Sequence, residues 1–259
     1  MHIKLALVQA HLEWENVEKN LANFNAVLST IDLDTDIIVL PEVFSTGFTM
    51  NPDFFTKNMG ESTFQWMKEK AKSLDKVIVG SVLVEEESKF YNRLFWIQPN
   101  GEFVYYDKRH LFQMGGEHLI LTPGNRRVKA EYKGVNFMLQ TCYDLRFPVF
   151  IRNRYDKETN QHDYDVLLYV ANWPEIRAHA YSTLAKARAI ENQAYVVWVN
   201  RIGEDGHHVV FSGDSQLISP YGKVTHKLAS HEEGVLYASI DTRELNDFRA
   251  NYKVGLDWD

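Results

Sequence analysis

Three side chains in this sequence combine into one chemical possibility. Cys142 is the only cysteine among 259 residues. A lone cysteine cannot form an intrachain disulfide, and it is too few thiols for a thiolate metal cage. It is then either a small buried hydrophobe, as free cysteine often is, or a nucleophile. Glu42 follows the apolar run Ile37-Ile38-Val39-Leu40 and Pro41, and Lys108 follows the alternating stretch from Gly101 to Tyr106. Each has a plain alternative: a solvated glutamate at a loop mouth, a surface lysine in a charged turn. Meeting in one place, they would form a hydrolytic machine. The thiolate attacks, and a nearby cation lowers the thiol pKa. The carboxylate takes the thiol proton and passes it to a leaving group. The ammonium holds a developing oxyanion.

The elements around them make such a meeting reasonable. Ile37 to Leu40 reads as a short strand buried on both faces, ended by a proline that has no amide hydrogen for the ladder. Val135 to Thr141 is a second apolar strand, and Cys142 follows it directly. Each candidate thus sits just past a hydrophobic run, where open α/β sheets build their ligand crevices. Further strands are expected over 3–10, 77–84, 91–97, 102–106, 166–170, 195–199, 215–218 and 235–240. Helices are expected over 14–29, 63–74, 148–155, 176–192 and 242–248. Pro99-Asn100-Gly101 and Pro220-Tyr221-Gly222 place glycine where a turn needs positive φ. The mixture indicates an α/β protein with two sheets. With no repeat or low-complexity linker, residues 1–259 read as one domain.

The motifs, in order, resemble the nitrilase superfamily, the carbon–nitrogen hydrolases. They are Leu40-Pro41-Glu42, Asp107-Lys108-Arg109-His110-Leu111-Phe112, Thr141-Cys142-Tyr143-Asp144-Leu145-Arg146-Phe147-Pro148, Val170-Ala171-Asn172-Trp173-Pro174, the stretch from Lys186 to Gln193, and Asp214-Ser215. Any one is weak; all of them with compatible spacing are specific, and they span nearly the whole chain. The resemblance implies a four-layer α-β-β-α sandwich with two mixed sheets of roughly six strands. It implies a Glu42–Lys108–Cys142 catalytic trio, with the Tyr143 backbone amide helping Lys108 hold the oxyanion, and no metal or organic cofactor. Glu117, after Gly115-Gly116 in an expected flexible loop, matches a second glutamate of related amidases that supports the lysine or the substrate.

The substrate-binding candidates are Tyr143, Arg146, Trp173 and Arg177. Arg146 either binds a substrate carboxylate or pairs with an acidic residue to shape the cysteine turn. Trp173 lies at a strand mouth before Pro174 and reads as a pocket wall. Residues 142–147, 172–177 and 187–195 resemble the bacterial ω-amidases, which deaminate 2-oxoglutaramate and 2-oxosuccinamate. One departure is Ala180, where that branch often carries a large aromatic, and this bears on pocket shape. On the helix over 176–192, Ile176, Ala180, Leu184, Ala187 and Ile190/Glu191 follow 3- and 4-residue steps and make one stripe apolar. Against the sheet that is packing; in the resembling family, helices near the cysteine also pair protomers, which implies a homodimer.

Composition narrows the classes. A net charge of −7 gives no basic footprint for nucleic acid. No run of 18 apolar residues suggests a membrane span. The N-terminal segment is too soon polar for a signal peptide, and one cysteine points to a reducing cytoplasm. His207-His208 beside Asp205-Gly206 reads as a hairpin turn and not a metal site. The competing readings are an N-carbamoyl amidohydrolase or other aliphatic amidase, a non-enzymatic interaction protein on the same fold, and an unrelated α/β protein with a structural cysteine.

Overall fold

The computed structural model describes residues 2–258. The first half of the chain builds one sheet. Strand β1 (His2–Gln9) leads through helix α1 (Val17–Leu28) to β2 (Ile37–Val39), and helix α2 (Glu61–Leu74) leads to β3 (Val77–Glu86). The antiparallel strands β4 (Lys89–Ile97) and β5 (Phe103–Asp107) follow, and then the single-turn helix α3 (Glu117–Ile120). The second half builds the other sheet. It runs β6 (Lys129–Tyr132), β7 (Val135–Thr141), α4 (Pro148–Ile151), the small hairpin β8 (Tyr155–Asp156) and β9 (Gln161–His162), then β10 (Val166–Ala171). Helix α5 (Ala178–Asn192) precedes β11 (Tyr195–Asn200); β12 (Ile202–Glu204) and β13 (Val210–Ser212) form a separate hairpin; β14 (Gln216–Ile218) and β15 (Val224–Lys227) end the sheet. Strand β16 (Gly234–Asp241) then returns to pair antiparallel with β1, and α6 (Thr242–Asn251) follows.

The strand orders are β16-β1-β2-β3-β4-β5 and β15-β14-β11-β10-β7-β6, both sheets mixed in direction. Alternation along each strand explains the layers. Leu5, Leu7, Ile37, Val39, Val77 and Val79 face Phe137, Leu139, Leu168 and Val197 in the core between the sheets. The Trp96 and Phe137 rings meet across that interface, 4.9 Å apart. The alternate residues Ala6, Val8, Ile38 and Ile78 pack against Phe24 and Leu28 of α1 and Met67 and Ala71 of α2. Met138, Leu167, Tyr169 and Trp198 pack against Tyr181, Ala185 and Ala189 of α5. Both faces of the central strands are covered, so they read as unbroken apolar runs. The architecture is the expected α-β-β-α sandwich.

Two local expectations are corrected. The helix expected over 148–155 stops at Ile151, and Tyr155 belongs to the β8–β9 hairpin. There Asn153 is held by side-chain bonds to the Tyr164 and Asn192 carbonyls, which pull the chain out of helical register. The α5 stripe is also corrected. The buried face is Tyr181, Ala185, Arg188, Ala189 and Asn192, while Ile176 is 89% and Ile190 55% exposed. Of the expected stripe, Ala180 and Leu184 are half-buried at the edge of that core, and Ile176 and Ile190 point to solvent. Alanines satisfy both faces, so spacing alone could not choose between them.

Candidate active site

The ends of β2, β5, β7 and β10 converge at one end of the sandwich. Glu42 follows β2 and is fully buried. Lys108 follows β5; its backbone N–H donates to the Asn92 carbonyl of β4 at 2.9 Å, and its own carbonyl accepts from Gly124 N–H at 2.9 Å. Gly124 lies so close to this segment that a Cβ there would stand 2.1 Å from the Asp107 carbonyl oxygen. Cys142 opens a 3₁₀ turn (Cys142–Arg146) at the end of β7 with φ +44°, and Val43, beside Glu42, has φ +39°. A β-branched residue at positive φ is a backbone outlier, and such strain gathers at sites that need a fixed geometry.

Asp144 holds the cysteine turn against the lysine segment. Its buried carboxylate accepts from Tyr106 OH at 2.8 Å, Thr141 N–H at 3.1 Å and His110 N–H at 2.9 Å, and bonds the His110 ring at 2.8 Å. Tyr106 and His110 flank Lys108, so one carboxylate clamps both neighbourhoods. From the other side, Arg188 of α5 donates through Nε and Nη2 to the Leu145 carbonyl, at 2.9 and 2.8 Å.

The charges meet behind the thiol. Lys108 Nζ donates to Glu42 Oε1 and to Glu117 Oε1, each at 2.9 Å. Glu42 Oε2 accepts from Asn172 N–H at 2.7 Å, and Glu117 Oε2 from Phe112 N–H at 2.6 Å. Glu117 therefore leaves the flexible loop expected for it and sits fully buried at the start of α3. Burial alone would strip the proton from Lys108, but Glu117, Glu42 and Cys142 override it and hold the ammonium charged. Burial pushes the Glu117 carboxyl up; Lys108 opposes this and Glu42 adds to it. The cation does lower the thiol pKa, as expected, but it does not set the net direction. Burial and then Glu42 raise Cys142 well above the ordinary thiol, and Lys108 offsets only part. The resting thiol is neutral, and its Sγ lies 3.8 Å from the Asn172 carbonyl oxygen.

Cys142 and Lys108 line a cavity of about 560 Å³. All four expected binding residues, Tyr143, Arg146, Trp173 and Arg177, line it too. Trp173 is 3% exposed, with Nε1 donating to the Arg177 carbonyl at 2.9 Å. Arg146 lies over the Trp173 ring at 5.2 Å and Arg177 over the Phe112 ring at 5.3 Å. Neither guanidinium has an ion-pair partner among the described residues, so Arg146 does not make the structural pairing weighed for it. Ala180 packs in the α5 layer and does not line the cavity.

Several site residues escaped the sequence reading. Asn92 and Asn172 bond Glu42, Asp144 is the clamp, and Phe48 lies 5.3 Å from Lys108 Nζ. An asparagine inside the apolar β4 pattern was the available signal. The β12–β13 hairpin does turn through Asp205 to Val209 as expected, but Asp205, His207 and Phe211 also wall the cavity. Among the described residues, no cluster of three or more His, Cys, Asp or Glu side chains could hold a metal, and no helix is long and apolar enough to cross a membrane.

Comparison with known proteins places the whole chain. Residues 4–250 match the family described as carbon-nitrogen hydrolase. The ω-amidase YafV of Escherichia coli K12 is 39% identical over 99% of this chain and 97% of that protein. The 2-oxoglutaramate amidase of Bacillus subtilis is 32% identical over 96% and 95%. The crystal structure of a CN-hydrolase superfamily protein from Xanthomonas campestris, with an arsenic adduct in its active site, superimposes with a TM-score of 0.96. It is 40% identical, covering 100% of this chain and 98% of that one.

Proposed function

This chain belongs to the carbon–nitrogen hydrolase family, and from that premise we propose that it is a thiol-dependent ω-amidase with Glu42, Lys108 and Cys142 as its catalytic trio. The observation that carries the reading is the buried Glu42–Lys108–Glu117 cluster directly behind a strained cysteine at the floor of an arginine-edged cavity.

The neutral thiol sets the order of events. Glu42 takes the Sγ proton as the S–C bond forms and the carbonyl π electrons move onto oxygen. The Lys108 ammonium and the Tyr143 amide, at the open start of the 3₁₀ turn, hold that oxyanion. The C–N bond then breaks, and the nitrogen leaves as ammonia with the proton from Glu42. Glu42 next takes a proton from water, whose oxygen attacks the thioester; the C–S bond breaks and the proton returns to sulfur. Glu117 keeps Lys108 charged and in place throughout.

The substrates are short 2-oxo dicarboxylate monoamides, 2-oxoglutaramate and 2-oxosuccinamate. Support comes from the relatives and from Arg146 and Arg177, cations at the cavity edge without ion-pair partners. A site built to pair a carboxylate rejects analogues lacking one, because its polar groups are left unpaired. The test is ammonia release from 2-oxoglutaramate, 2-oxosuccinamate, glutamine, asparagine, a carbamoyl amino acid and an aliphatic nitrile. The 2-oxo acids should lead by at least ~10² in kcat/KM. Glutamine should be poor, since its ammonium faces the same arginines. Equal kcat/KM for simple amides or nitriles would overturn the substrate class and leave the family standing.

The chain is further proposed to form a homodimer through the outer face of α5. The exposed Ile190 of α5 and Ile176 in the 3₁₀ turn just before it, with Val149 of α4 88% exposed, support this. Sedimentation equilibrium tests it: a monomer at micromolar concentration overturns it.

A further inference from the structure

Asn92 is a buried polar side chain at the site that the mechanism above leaves unused. It lies on β4, 1% exposed, opposite Leu83 of β3. Its Nδ2 donates to Glu42 Oε1 at 2.8 Å and to Glu117 Oε1 at 3.4 Å. Lys108 Nζ donates to the same two oxygens. Two donors and two acceptors therefore alternate around a closed ring. The Asn92 carbonyl also accepts the Lys108 backbone N–H.

Counting hydrogens and lone pairs gives the ring a direction. The ammonium has three N–H groups: one meets Glu42 Oε1, one is shared by the two Glu117 oxygens, each 2.9 Å from Nζ, and one remains on a residue that lines the cavity. The amide has two N–H groups, both spent. Glu42 Oε1 accepts two bonds and is full. Glu42 Oε2 accepts only the Asn172 N–H and keeps a lone pair. Charge fixes the amide's orientation, because a flip would set Oδ1 against two carboxylates. In the observed orientation Oδ1 is buried without a partner. An apolar residue of the same shape would avoid that cost, so the amide's value lies in its donors.

We propose that Asn92 is a positioning residue for amide hydrolysis: it fills Glu42 Oε1, so that the thiol proton passes to Oε2, and it closes the ring that aims the third Lys108 N–H at the substrate carbonyl. The inference rests on the reading of Glu42, Lys108 and Cys142 as the trio. The proton leaves Sγ for Oε2 as the S–C bond forms, and it departs on the leaving nitrogen.

Asn92→Leu removes both donors and the orphaned oxygen at nearly constant volume. Its kcat should fall by roughly 10–100-fold, the scale of a lost supporting partner. KM should hardly move, since Asn92 does not line the cavity. The acid limb of kcat/KM should shift to higher pH, because a carboxylate that loses a donor protonates more readily. Asn92→Asp restores a donor only when protonated, so its kcat should rise as pH falls, opposite to the wild type. Circular dichroism and titration of Cys142 by alkylation give the folded fraction. A wild-type kcat, or an unmoved pH profile with the loss confined to KM or to folded fraction, overturns the proposal. If Asn92→Leu does not fold, Asn92→Asp decides: no recovery at low pH overturns it. Turnover by folded Cys142→Ala would instead remove the trio itself. An inactive Cys142→Ala beside a normal Asn92→Leu removes only the role of Asn92.

Discussion

Two cavities of similar size lie at opposite ends of the second sheet. One, about 560 Å³, opens past the end of β7 beside Cys142; the other, about 610 Å³, lies at the start of β7 between α6 and the β8–β9 hairpin. Both hold charged and polar side chains. In the larger one, Arg249 donates Nη1 to Asp165 at 2.6 Å, Nε to the Gln193 carbonyl at 3.0 Å and Nη2 to the Tyr164 carbonyl at 2.8 Å. Asp165 in turn accepts the Asn136 N–H at 3.0 Å. Those bonds hold α6 against the strand starts and commit Arg249 and Asp165 to each other. In the smaller cavity Lys108 is held by two buried carboxylates, Arg146 and Arg177 have no ion-pair partners among the described residues, and strained backbone flanks the acid and the thiol. Size and charge do not separate a reactive site from a structural joint. What sets the smaller cavity apart is the buried Glu42–Lys108–Glu117 cluster behind its thiol.

Substitutions at the two ends should therefore fail in different ways. The largest effect is expected for Cys142→Ala, which should remove turnover by several orders of magnitude with the fold intact, since the attacking atom is gone. Substantial turnover by the folded variant would make the thiol structural. Lys108→Met should follow, at about 10²–10³ in kcat for a lost oxyanion donor. With the one favourable cation gone, alkylation of Cys142 should also need higher pH. Normal kcat with an unmoved alkylation profile would demote the lysine.

At the other end, Arg249→Ala should cost stability and spare catalysis. The loss should lie toward the lower end of the roughly 3–5 kcal/mol of a broken buried pair, because Asp165 is 19% exposed. Denaturant unfolding measures it, and a matching fall in kcat of the folded protein would erase the contrast. The smallest effect is a pH dependence. Burial, and then Arg249, depress His162 to about 4, so it is neutral in the folded protein. The unfolded chain binds this proton more readily. Its contribution is thus complete above pH ~6.5 and is lost as pH falls toward about 4. The melting temperature should drop across that window, and His162→Phe should flatten the drop. An identical slope in both proteins would assign the acid sensitivity elsewhere.

The strands were legible where both faces are buried. Val135–Thr141 matches its expected bounds, and the 37–40, 166–170 and 195–199 runs agree to within a residue. Strands at the sheet edges, Lys129–Tyr132 and Val224–Lys227, passed unread because one side meets water and their residues are polar. Motif order pointed to Glu42, Lys108 and Cys142, which the fold brings together, and to four residues that line the cavity, yet the balance of charge and burial at the thiol was not legible. A sequence shows that a cation is available. It does not show that burial and a carboxylate outweigh it. The buried face of α5 was misread for a related reason: with alanine on both sides, the partner sheet decides which face it covers.

By itself the sequence determined where apolar runs lie and which reactive side chain follows each, because strand periodicity and chain-ending residues act over a few neighbours. Only the tertiary structure decided how those side chains share charge. Glu42 meets Lys108 across 66 residues and Asn172 across 130. The packing of two sheets brings them together, excludes water, and so sets which groups stay charged, which stay neutral, and which hydrogen remains free to reach a substrate.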